Sequence, residues 1–82
     1  MIVVFDPAAI DPLSGLQKDR ISSLVLKAKS ILSSFSQKTP NVKRLQGSPL
    51  YRLRIGDYRV IFRAEGQQIT ILRIVDRKDA YK

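Results

Sequence analysis

From Tyr51 to Arg63 the chain alternates apolar and basic residues on either side of a Gly-Asp pair, a pattern that a β-hairpin satisfies and a helix does not. Side chains alternate across a strand, so Tyr51, Leu53 and Ile55 share one face while Arg52 and Arg54 share the other. With Gly56-Asp57 as a two-residue turn, Ile55 faces Tyr58, Leu53 faces Val60 and Tyr51 faces Phe62. One face of the hairpin is then continuously apolar. The other sets Arg54 opposite Arg59 and Arg52 opposite Ile61, with Arg63 further along. Like charges directly across a ladder destabilise it, and nothing acidic between Tyr51 and Arg63 lies on that face. A bound polyanion offsets the repulsion, so function is to be sought on the arginine face.

The charge of the whole chain agrees with that reading. Its net charge is +8 with a pI near 10.3, which points to nucleic acid, an anionic surface or an acidic protein partner. Residues 43–82 carry ten Lys/Arg and four Asp/Glu, whereas residues 1–42 carry five and three, so the basic character belongs to the strand-rich half. The 82 residues predict one domain, residues 1–82, with a single modest core. There is no cysteine, which excludes a disulfide framework and a cysteine-based metal site, and no histidine. Asp76 and Asp79 are flanked by Arg77 and Lys78 and read as charge balance; no metal and no cofactor is expected. No apolar run approaches the roughly 20 residues that span a bilayer, so a soluble cytoplasmic protein without a membrane partner is expected.

Ile2 to Phe5 predicts a short first strand, followed by Asp6 as a helix N-cap and Pro7 at the first helical position. Asp11-Pro12 and Ser14-Gly15 interrupt the stretch after Pro7, which restricts residues 7–15 to short helical turns. Ile21, Leu24, Val25, Ala28, Ile31, Leu32 and Phe35 form the stripe of an amphipathic helix, with Ser22, Ser23, Lys27, Lys29, Ser30 and Ser33 on its solvated side. Thr39-Pro40-Asn41 ends the helical region, and Lys43-Arg44-Leu45 precedes the hairpin at the sheet's rim. A third meander strand, Gln67 to Val75, joins through Glu65-Gly66. Regular pairing across that turn puts Ile69, Ile71 and Arg73 on the apolar face, and Leu72 and Ile74 on the arginine face. The expected class is α+β: a short N-terminal strand and two N-terminal helices packed on one face of a mainly antiparallel sheet that ends in a three-strand meander.

The hairpin Tyr51-Arg-Leu-Arg-Ile-Gly-Asp-Tyr-Arg59-Val-Ile-Phe, the strand Ile69 to Val75 and the closing Asp76-Arg77-Lys-Asp-Ala-Tyr81 together resemble the C-terminal half of RelE/ParE-superfamily toxins, most closely in RelE-type spacing. The resemblance is specific over residues 49–82 and rests on element order before them. It implies a RelE-like fold and a toxin of a type II toxin–antitoxin pair. RelE-like members cut mRNA in the ribosomal A site; ParE-like members poison DNA gyrase. The implied partners are a cognate antitoxin protein, the ribosome and mRNA, with operator DNA reached only through the antitoxin complex.

The same resemblance carries roles to individual positions. The two basic strand positions, often lysines in RelE members, become Arg52 and Arg54; the hairpin arginine becomes Arg59, the arginine after the last strand Arg77, and the C-terminal tyrosine Tyr81. Cleavage through a ribose 2′-hydroxyl needs a base, positive charge on the transition state and help for the departing 5′ oxygen. Arginine is a poor proton acceptor because it stays protonated. Tyr81 is then the candidate base, Arg59 and Arg77 clamp the phosphate, and Arg52, Arg54, Arg63, Lys78, Lys43 and Arg44 bind RNA. Two alternatives stay open: a gyrase inhibitor that cleaves nothing, and a catalytically inactive antitoxin-binding relative.

Overall fold

The computed structural model describes the backbone of residues 1–80 and the side chains of residues 1–78. The strands are β1 (Ile2–Phe5), β2 (Val42–Arg44), β3 (Leu50–Ile55), β4 (Tyr58–Glu65) and β5 (Gln68–Asp76). A 3-10 segment (Pro7–Leu13) and helix α1 (Lys18–Ser33) lie between β1 and β2, and a short helix α2 (Arg77–Ala80) follows β5. The strands form one sheet in the order β1-β5-β4-β3-β2. β1 runs parallel to β5 and every other pairing is antiparallel. Among the described residues no helix is long and apolar enough to cross a membrane.

The hairpin pairs as the alternation dictates: Ile55 with Tyr58, Leu53 with Val60, Tyr51 with Phe62, Arg52 with Ile61 and Arg54 with Arg59. Gly56 carries a φ of +55° and Asp57 a negative φ, the signature of a turn with glycine at its first central position. The β4–β5 turn repeats the device, with Gly66 at a φ of +59°.

α1 covers the apolar face. Ala28 and Leu32 are fully buried, and Ile21, Leu24, Val25, Ile31 and Phe35 pack around them against Leu53, Val60, Phe62, Ile69, Ile71 and Ile74. Phe35 lies two residues past the helix and meets the rings of Tyr51 and Phe62 edge-on, each at 5.4 Å. The N-terminal region departs from the expected pair of helices. Only α1 is an α-helix there, and residues 7–13 form a 3-10 segment whose N-cap is Asp6, its carboxylate accepting from the Ala8 amide at 2.9 Å. Pro12 within it has no amide to offer an i−4 carbonyl, which rules out a regular α-helical turn. The segment buries Ala9 and Leu13 and packs along β5 beyond the last β1 pairing, Phe5 with Ile71.

The third meander strand corrects the predicted register. Between Ile61 and Phe62 the β4–β5 ladder slips by one: Phe62 pairs with Ile71, but Ile61 pairs with Arg73. Leu72 is therefore a bulge residue, and beyond it every side chain of β5 changes face. Ile74, opposite Val60, is fully buried beneath α1, and Arg73 lies exposed on the arginine face. A regular ladder would bury the Arg73 guanidinium without a partner, at a cost of several kcal/mol. It would also expose Ile74, forfeiting about 1.5–3 kcal/mol of burial. One disrupted ladder hydrogen bond, about 0.5–1.5 kcal/mol, is the smaller loss.

Candidate nucleic-acid interface

The face opposite α1 collects basic side chains from four adjacent strands. Register places Lys43 on it from β2, Arg52 and Arg54 from β3, Arg59 and Arg63 from β4, and Arg73 from β5. Lys43, Arg54, Arg63 and Arg73 are exposed and Arg52 is half-buried. β4 runs two residues further than the alternation between Tyr51 and Arg63 indicated, and so adds one carboxylate to this face. Glu65 Oε1 lies 3.5 Å from Arg63 Nε, in an exposed pair that contributes at most about 1 kcal/mol.

Arg59 differs from its neighbours. It is 7% exposed, and its Nη1 donates to the carbonyl oxygens of Gly56 at 3.1 Å and Tyr58 at 3.0 Å. The guanidinium is thus held against the hairpin turn. Its opposite neighbours are Arg54 on β3 and Val75 on β5. The Arg77 amide donates to Asp57 O at 2.7 Å, so α2 starts beside the same turn, and Asp76 Oδ1 accepts from the Lys78 amide at 3.1 Å. Arg54, Arg59 and Arg77 are gathered at one end of the hairpin, although they are up to 23 positions apart in the chain. Asp76 acts there as a helix cap.

Arg44 does not join this set. It pairs with Tyr51, which places it on the α1 side, with its guanidinium 6.0 Å from the Tyr51 ring centroid and Nε donating to Ser48 O at 3.3 Å. Adjacent strand residues point to opposite faces, so Lys43 and Arg44 cannot both lie on the arginine face. Lys78 is exposed in α2, and Tyr81 lies outside the described residues. Arg73 is the basic residue that sequence parity missed. No local signal marks it, because the bulge at Leu72 that reverses the parity of the later β5 residues is a property of the pairing with β4.

A sheet with its helix on one face and cations from four strands on the other defines a small α+β protein with one basic sheet face. A family model described as the ParE toxin of the type II toxin–antitoxin system parDE matches residues 3–81, and the chain belongs to this toxin family within the RelE/ParE superfamily. Among solved structures, the chain is similar to the toxin–antitoxin complex RelBE2 of Mycobacterium tuberculosis, with 25% identity and a TM-score of 0.71 over 93% of this chain and 96% of that one. It is similar also to the archaeal RelE–RelB complex of Pyrococcus horikoshii, with 29% identity and a TM-score of 0.67 over 93% of each chain. The RelB–RelE complex of Methanococcus jannaschii shares the fold at 22% identity, with a TM-score of 0.65 over 95% of this chain and 94% of that one. A search of curated proteins finds no match.

Proposed function

We propose that this toxin is a ribosome-dependent mRNA endoribonuclease of the cytoplasm, neutralised by a cognate antitoxin. The observation that carries the reading is the gathering of Arg54, Arg59 and the start of α2 at the β3–β4 turn, on the cation-bearing face. In this reading the 2′-oxygen attacks the adjacent phosphorus while its proton passes to a base, for which Tyr81 is the candidate. The bond from phosphorus to the 5′ oxygen breaks, and that oxygen takes up a proton. Arg59 and Arg77 hold the phosphoryl oxygens as negative charge accumulates, through the bidentate fit of guanidinium to phosphate. Arg54, Arg52, Lys43 and Arg63 hold the flanking backbone. Positioning by the ribosome supplies what this sparse chemistry lacks, an effect of about 7–11 kcal/mol in well-oriented reactions. The similarity to RelE chains solved with RelB supports an antitoxin partner; acidic residues on it would complement the arginine face, and operator DNA would be reached only through that complex.

The family match, described for ParE, favours gyrase inhibition as the second reading. The test is mapping of mRNA ends in cells induced for the wild type and for Arg59→Ala/Arg77→Ala, beside a gyrase cleavage assay. Cuts within translated codons that vanish in the variant are expected. Trapped gyrase without such cuts would establish the second reading, and neither signal would leave an inactive antitoxin-binding relative.

A further inference from the structure

The bulge at Leu72 does more than return Ile74 to the core. Lys43 pairs with Arg52, Arg52 with Ile61 and Ile61 with Arg73, so these four residues form one transverse row across β2, β3, β4 and β5. At about 4.8 Å per strand the row is about 14 Å long, with Arg52 and Arg73 about 10 Å apart at the backbone. The next row towards the turn is Arg54, Arg59 and Val75, two residues or about 7 Å away along the strands. Arg73 is exposed, and among the described residues no ion pair holds its guanidinium. Asp11 shares with it a groove of about 470 Å³ lined also by Ala8, Pro12 and Leu72, yet no ion pair joins them.

We propose that Arg73 is a positioning residue for RNA: with Arg52 and Lys43 it forms a cationic row that holds the backbone of a single RNA strand one row away from Arg54 and Arg59. This deepens the ribonuclease reading and rests on it for the identity of the polyanion. The row runs across the strands, so the RNA crosses the sheet, with Arg73 holding the portion nearest β5. Half-buried Ile61 lies between the two arginines as an apolar floor on which a base can rest.

The test is fluorescence anisotropy of the toxin with a short single-stranded oligoribonucleotide over a KCl series. Each phosphate contact on a single strand contributes about −0.7 to the slope of log K against log salt. Arg73→Ala is expected to make the slope shallower by about 0.7, and Arg73→Lys to restore it. Arg20→Ala removes the same charge from a groove on the α1 side that it shares with Leu24, Ile55 and Tyr58, and is expected to leave the slope unchanged. In the ribosomal cleavage assay Arg73→Ala should raise KM with kcat preserved. An unchanged slope in Arg73→Ala, an equal change in Arg20→Ala, or no RNA binding by the wild type overturns the proposal. An Arg73-dependent slope in a protein that cuts no translated mRNA would leave the row standing and overturn the ribonuclease reading instead.

Discussion

Arg59 is tied to the hairpin turn by its own side chain. Two turn carbonyls hold its Nη1, which fixes the guanidinium before any substrate arrives. Truncation leaves those carbonyls without that donor, so Arg59→Ala should lose about 1–3 kcal/mol of stability, read by denaturant unfolding. If Arg59 stabilises the transition state, the same variant should cut ribosome-bound mRNA about 10²–10³-fold more slowly at saturating complex. Arg59→Lys should recover little of that rate, because an ammonium lacks the planar fork that can hold a carbonyl and a phosphate together. A Lys variant with near wild-type rate would reduce Arg59 to a point charge. Gly56 carries a separate requirement. A Cβ there meets nothing within 4 Å, so the cost of Gly56→Ala is the strain of a positive φ, about 1–2 kcal/mol, checked by thermal unfolding.

Among the elements, the β3–β4 hairpin was legible to the individual pair because its period of two is uninterrupted and its turn is two residues long. α1 was legible from its stripe, except that the helix ends at Ser33, short of Phe35. β5 was not, because the isolated strand carries no information about which of its residues is left out of the ladder. That depends on Val60 and α1 accepting Ile74, and on solvent accepting Arg73. Deletion of Leu72 tests this account. It should leave Ile61 opposite Arg73 in a regular ladder, so the variant should fold, losing about 1–3 kcal/mol for the half-buried leucine. Phe62→Ala, in a stacked and fully buried position, should lose about 3–5 kcal/mol. A Leu72 deletion as damaging as Phe62→Ala in denaturant titration would refute the bulge's role.

For the molecule as a whole, which carries a net charge of +8, register gathers Lys43, Arg52, Arg54, Arg59, Arg63 and Arg73 on one face of the sheet. Polyanion binding should therefore depend steeply on salt. With about five phosphate contacts, raising KCl from about 50 to 200 mM should weaken binding to single-stranded RNA by about 10²-fold, measured by the same anisotropy titration. A flat salt response would mean that the face binds through shape or apolar contact. Strand alternation, the helical stripe and the order of elements were enough to indicate the α+β class, the hairpin pairing and an arginine face, because each follows from local period or from chain order. Only the tertiary structure decided that the first helical region is a 3-10 segment on β5, that Arg44 turns to the helix side and that Arg73 joins the basic row. Those outcomes depend on which groups elements far apart in the chain can bury together, and no local period encodes that competition.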